Sequence, residues 1–247
     1  MQQQHGRLVQ AGFTVIELLI VMAIIAIIAT MAIPRLTGAK MTANETAAMG
    51  VMRAIATTQS QLLSASAIDT DADGAQEYGY IGEMTGTVPA RISVGGVPAP
   101  GVVGVDELQP AALTVGMGNV QNSVVSRHGY VFQVWLPGPR AGGVVPGIAE
   151  DATGGKRVAP FPDSNNCEAM WCAYAWPTNA GGTGNTAFFM NQFGQMMRTT
   201  NRGAGAYTGV GGGPNFDAAL TVAGDMSSNL GINGAAAVDG NTWVPAQ

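Results

Sequence analysis

An α+β fold, in which one long N-terminal helix packs on a small antiparallel β-sheet in a loop-rich head, is predicted by three features of this sequence. From Phe13 to Ile33 the chain is almost wholly apolar, with Glu17 its only charge. Apolar residues then keep a near-helical spacing past Pro34. Strand-like runs appear only in the second half, separated by segments rich in Gly and Pro.

The lower half of the helix has the length of a membrane span. About 20 apolar residues at about 1.5 Å each cross about 30 Å of hydrocarbon. A cleaved secretory signal has a shorter apolar core and a small-residue cut site after it. Here the small residue, Gly12, comes before the run, so cutting at Gly12 leaves the helix on the mature chain. Glu17 is the anomaly. A carboxylate in such a helix costs roughly 2.5–3.5 kcal/mol on insertion scales. It needs a partner, and the helix itself supplies none. The chain is therefore expected to work as part of an assembly.

Beyond Pro34, Leu36, Ala39, Ala43, Ala47, Val51, Ile55 and Leu62 define an apolar stripe, with Lys40, Asn44, Arg53 and Gln59 on the opposite face. Pro34 removes one backbone bond and bends the helix without ending it. The helix is predicted over 13–68, about 80 Å of rod at about 1.5 Å per residue. Residues 69–83, DTDADGAQEYGYIGE, read as an acidic turn that opens the head. YVFQVWLPG, MWCAYAWP and TAFFMNQFGQMMRTT supply three or four strands of one antiparallel sheet. From Asn201 onward the chain is Gly/Ala/Asn-rich and reads as loop and C-terminal embellishment. The predicted divisions are 1–12 as leader, 13–68 as transmembrane and amphipathic helix, and 69–247 as the head.

The run GFTVIELLIVMAIIAIIA, followed by Pro34, resembles the class III signal of type IV prepilins and of type II secretion pseudopilins. The resemblance covers about 25 residues. It implies a pilin-like fold, cleavage by a prepilin peptidase between Gly12 and Phe13, and N-methylation of Phe13. It further implies that Glu17 is the assembly carboxylate and Pro34 the helix-kinking proline. Family leaders usually place Lys or Arg just before the glycine, whereas this chain has Gln10-Ala11. The head motifs D-x-D-x-D-G…EYG, GY-x-F, AYAWP and G-x-T-x-FF-x-x-x-x-G resemble large prepilin-type proteins of deltaproteobacteria and planctomycetes, for which the resemblance implies a pilin-like head and no defined activity.

Three constellations bear on chemistry in the head. Asp69, Asp71, Asp73 and Gly74 have the spacing that opens an EF-hand calcium loop, with Glu77 at the ninth position and Tyr80 where a bidentate Glu normally stands. Calcium is the cofactor this pattern suggests, and a solvated acidic turn is the competing reading. Cys167 and Cys172 are expected to form a local disulfide in an oxidising compartment, worth about 2 kcal/mol. The absence of a C-x-x-C spacing and of a nearby histidine argues against a thiol metal or redox site. Lastly, His128 is the one histidine outside the leader, and no G-x-S-x-G, Walker loop or H-E-x-x-H is present, so no enzyme is expected. Trp135, Trp171 and Trp176 are expected in the core.

Without the leader the chain carries a net charge of −6, which argues against nonspecific nucleic-acid binding. The expected function is a structural subunit of a type IV pilus-like filament, inserted in the inner membrane with its head outside the cytoplasm. Its expected partners are the prepilin peptidase, copies of itself and other pilins or pseudopilins, the membrane lipid before assembly, and an inner-membrane platform with its ATPase. In that assembly Glu17 neutralises the Phe13 amine of a neighbouring copy. A pseudopilin acting in protein export and a membrane-tethered head that never polymerises are the alternatives.

Overall fold

The computed structural model describes residues 12–65, 67–202, 205–232 and 235–246; the leader residues 1–11 lie outside the described residues. The chain divides into two units, Met1–Lys40 and Met41–Gln247.

In the first unit helix α1, assigned over Val15–Ser64, begins two residues after Phe13 and runs through Pro34 without interruption. Proline leaves the Thr30 carbonyl without its usual donor. Threonine hydroxyls bond nearby turns, Thr30 to the Ile27 carbonyl at 2.7 Å and Thr37 to the Ile33 carbonyl at 3.1 Å. The large apolar side chains are exposed from Phe13 to Leu36, and Phe13 is 92% exposed. This part of the helix is long and apolar enough to cross a membrane. An all-round apolar helix of this length has no stable existence in water and calls for lipid or protein around it.

In the second unit α1 buries Ala48, Met52, Ile55, Thr58, Gln59 and Leu62. The buried stripe is thus rotated from the predicted one. Gln59, predicted on the outer face, is fully buried and pairs with the Gly79 backbone in both directions, at 2.8 and 2.9 Å. Asn44, also predicted outside, donates to the Thr183 carbonyl at 2.9 Å. Polar residues sit here because they satisfy backbone groups of the segments packed against the helix. The helix ends at Ser64, four residues before the predicted Ile68.

The head is built on a seven-stranded antiparallel sheet of β3 (Val125–Arg127), β4 (Tyr130–Pro137), β5 (Gly147–Ala149), β6 (Cys172–Pro177), β7 (Thr186–Asn191), β8 (Met197–Thr200) and β9 (Val244–Pro245). The order is β3-β4-β6-β7-β8-β9, with β5 paired to β4. A separate hairpin joins β1 (Ile92–Ser93) to β2 (Pro98–Ala99). Two short α-helices, α2 (Ile81–Met84) and α3 (Ser164–Ala169), and a 3-10 turn at Val115–Met117 complete the elements among the described residues.

Side chains alternate across the sheet with period two. Tyr130, Phe132, Val134 and Leu136 of β4 share a core with Ala173 and Ala175 of β6, Phe188 and Met190 of β7, and the buried stripe of α1. Val131, Cys172, Tyr174, Trp176, Ala187 and Phe189 enter a second core. Both faces of the sheet are therefore covered, which is why β4 and β6 read as continuous apolar runs.

The cover of the second face is the segment after Asn201, predicted as embellishment. Phe216, Ala218, Ala219, Leu220, Met226 and Trp243 all pack into that core. Trp243 lies edge-on to Tyr174 and Phe189 at 6.0 and 6.2 Å. This cover lacks periodicity because it is held by bonds from sheet side chains to loop carbonyls: Tyr174 to Phe216 at 2.9 Å and Trp176 to Gly209 at 2.7 Å. Its glycines permit the close approach, since a Cβ on Gly213 would fall 2.3 Å from the Trp176 ring.

Candidate functional site

Of the expected N-terminal residues, Gly12 and Phe13 precede α1, and Glu17 lies in its first turn beside Thr14. Thr14 donates its backbone N–H and its hydroxyl to Oε2 of Glu17, both at 2.8 Å, and its Oγ1 accepts the Glu17 N–H at 3.3 Å. This is a reciprocal capping box at a T-x-x-E start, legible in the sequence as Thr14-Val15-Ile16-Glu17. The expectation that the helix supplies no partner for Glu17 is corrected accordingly: Thr14 supplies hydrogen bonds. It supplies no positive charge, so the ionic demand of a carboxylate in a low-dielectric setting stands. Cleavage after Gly12 would leave Thr14 as the second residue, its amide N–H intact, so the capping box would survive in the shortened chain.

In the head, the acidic segment 69–83 splits into two environments. Asp69, Asp71 and Asp73 bring carboxylate oxygens within 4.8 Å of one another at the surface. They also cap their own turn: Asp69 accepts from Ala72 and Gly74, Asp71 from Asp73, and Asp73 from Ala75. Glu77, expected as the fourth calcium ligand, points into the core instead. It is buried, accepts from the Thr70 backbone at 2.7 Å and from the Thr70 hydroxyl, and pairs with Arg91 at 3.0 Å. The expected four-residue set is thus not brought together. A guanidinium claims the ninth position because Arg91 is buried and must have its carboxylates beside it.

Arg91 is the centre of the buried network, and no pattern in the sequence announces it. Its Nε pairs with Glu83 at 3.0 Å, its NH1 with Glu77, and its NH2 with the Tyr78 carbonyl at 2.6 Å. The guanidinium carbon also lies 5.5 Å from the centre of the Tyr80 ring. Glu83 accepts in addition from the Tyr80 backbone N–H at 2.8 Å. These contacts fix residues 77–91 as one polar knot beside the helix-facing core.

Glu150 is a further buried carboxylate that sequence reading passed over. Its Oε2 accepts from Gly82 and Gly155 at 3.2 and 3.1 Å, while Oε1 has no partner. Burial, against those two N–H bonds and with Glu83 and Asp151 adding repulsion, pushes its pKa up to about 8. The group is therefore the neutral acid at neutral pH. Its folded pKa lies above the unfolded value of 4.5, so its contribution to stability is full below pH 4.5 and is lost as pH rises through about 8. The expected result is a head that loses stability between pH 5 and 8, by at most roughly 1.4 kcal/mol per pH unit from this group. Glu150→Gln should flatten that slope in denaturant titrations at several pH values; an unchanged slope would assign it to other groups.

The expected disulfide is not present. Cys167 and Cys172 are both free and buried. Cys167, on α3, lies in the helix-side core, whereas Cys172, on β6, lies in the opposite core. Their sulfurs face different acceptors, the Pro137 and Phe216 carbonyls, each at 3.7 Å. Strand alternation thus separates two residues that are close in sequence. Burial raises both thiol pKa values, and a protonated, enclosed thiol is inert. Both cysteines should resist alkylation in the folded chain and react after denaturation. A non-reduced mass two hydrogens short would show the disulfide after all.

Trp171 and Trp176 are buried in the two cores as expected, and Trp135 packs on Phe216 at 5.7 Å. His128 adopts φ 50° before Gly129 and accepts from Arg127 at 3.2 Å. A surface cavity of about 500 Å³ near the end of α1, lined by Leu62, Ala65, Leu108 and Pro110 among others, holds no titratable side chain.

Residues 7–33 match the family model of the prokaryotic N-terminal methylation motif. This match supports a class III signal of the type IV prepilin kind, in a protein of pilin or pseudopilin type whose motif implies processing by prepilin peptidase. With the exposed apolar helix, it is consistent with a pilin-like chain anchored in the inner membrane. No curated protein and no solved structure matches the chain. The likeness of the head to large prepilin-type proteins therefore rests on its motifs alone.

Proposed function

We propose that this chain is a structural subunit of a type IV pilus-like filament. Prepilin peptidase cuts it between Gly12 and Phe13, leaves a mature chain that starts at a methylated Phe13 amine, and releases residues 1–12. The apolar part of α1 holds the subunit in the inner membrane, with the head on the periplasmic side, until the assembly platform and its ATPase extract it into the polymer. The observation that carries this reading is an exposed, membrane-length helix whose sole charge stands four residues from the cut site.

Chemistry favours the pairing of Glu17 with a neighbouring amine. Thr14 occupies Oε2 of Glu17, and Oε1 is left for a cation. An ammonium group from an adjacent copy neutralises the carboxylate in surroundings where either charge alone is costly. A four-residue offset between the two groups corresponds to a stagger of about 6 Å along the helix axis. Electron microscopy of sheared cell surfaces tests the filament itself: fibres containing this chain are expected. Short periplasmic polymers would point to the export machine, and membrane-bound monomers alone would contradict polymerisation.

A further inference from the structure

The charges of this chain are divided between its helix and the rest of its head. From Arg35 to Ser64, α1 carries Arg35, Lys40 and Arg53 against Glu45, a net +2; from Ala65 onward seven basic side chains face fourteen acidic ones, a net −7. Within the second unit the exposed residues of α1 around Arg53 are small, Thr46, Gly50, Ala54, Thr57 and Ser60 among them. The hydroxyls of Thr46, Thr57 and Ser60 all donate back to carbonyls of their own helix. That face is consequently smooth and needs few outside acceptors. Arg53 is its single charge, and the guanidinium has no partner among the described residues.

The counterpart surface is at the opening of the head. Asp69, Asp71 and Asp73 have no cationic side chain bonded to them among the described residues, only amides of their own turn and, at 3.4 Å, the Asn165 side chain. Glu168 lies within their field. Burial, then Asp73, Asp71, Glu77 and Asp69, raise its pKa, and its Oε1 has no partner. Negative potential is thus uncompensated on one surface, and a positive charge is uncompensated on another surface of the same chain.

We propose that the exposed α1 face around Arg53 docks onto the acidic 69–73 loop and Glu168 of a second copy. The inference rests on the filament reading and gives it a contact outside the apolar helix. A guanidinium fork takes two carboxylate oxygens at once, and the small side chains around Arg53 let a loop approach. The two surfaces differ, so the contact is head-to-tail and propagates instead of closing into a dimer. Being at the surface, it weakens with salt.

The test uses full chains in native membranes, mixing copies that carry Arg53→Cys with copies that carry Asp71→Cys; the two native cysteines are enclosed. A control mixture carries Ile16→Cys and Ile20→Cys in the apolar helix. Covalent dimers are expected from both mixtures. Arg53→Glu, without added cysteines, should lower polymer yield about fivefold, the factor that about 1 kcal/mol per contact gives, and adding Asp71→Lys should restore it. Control dimers without 53–71 dimers, or full polymer with Arg53→Glu, would overturn the docking and leave the filament standing. Absence of dimers from both mixtures would overturn the filament reading as well. Suppression of the 53–71 dimer by calcium alone, with unchanged polymer, would assign the loop to a cation instead of a second copy.

Discussion

Replacing Arg91 with leucine lowers the stability of the head by about 3–5 kcal/mol, because Glu77 and Glu83 are then left as buried charges without a partner. Both carboxylates are at most 1% exposed and contact the guanidinium at 3.0 Å. The same loss removes the bond to the Tyr78 carbonyl and the contact over Tyr80, so the knot over residues 77–91 loosens together. Denaturant unfolding of the full chain in detergent measures it. A triple variant, Arg91→Met with Glu77→Gln and Glu83→Gln, should recover part of the loss, since it leaves no uncompensated charge. Equal stability of Arg91→Leu and the parent would mean that the carboxylates are solvated and that the network contributes little. Glu77→Gln is expected to act on stability in the same direction, the signature of a core residue and not of a metal ligand.

Substituting Glu17 has its largest effect on assembly. Glu17→Leu is expected to leave membrane insertion intact and to lower polymer yield by on the order of tenfold or more, the factor that about 1.4 kcal/mol per subunit contact gives. Glu17→Gln separates the capping bond seen in the structure from the ionic pairing proposed for this side chain. The amide oxygen can still accept from Thr14, so the capping box persists, yet the charge is gone. An assembly defect with Glu17→Gln therefore reports the ionic pairing. Normal polymer with Glu17→Gln but not with Glu17→Leu would reduce Glu17 to a helix cap. The charge matters more than the cap because hydrogen bonds from Thr14 satisfy lone pairs without cancelling a net charge.

Much of the architecture was legible in the sequence wherever one rule decided the outcome. The apolar run of α1 needed only a count of residues against membrane thickness, and β4, β6 and β7 showed themselves as apolar runs bounded by Gly and Pro. Gln59 and Asn44 misled because polarity was read as exposure, whereas each satisfies backbone groups in a contact with the head. The segment after Asn201 misled because a cover built from loops carries no period, and only Phe216, Leu220, Met226 and Trp243 hint that it buries anything. The cysteines misled because four intervening residues suggested proximity, while β6 places the second sulfur on the opposite face of the sheet. Glu77 followed a calcium-loop spacing, but a buried arginine fourteen residues away had the stronger claim on its carboxylate. At the N-terminal site the Thr14–Glu17 bond is legible as T-x-x-E, a capping signature that the apolar run around it obscures.

The mass of the amino-terminal peptide from chain purified out of its native membrane tests the central claim most directly. A peptide beginning at Phe13, heavier by one methyl group on its amine, is the predicted product. A peptide that still begins at Met1 and retains Gln10-Ala11-Gly12 would contradict the account, because no free amine would then exist beside Glu17 to draw copies together.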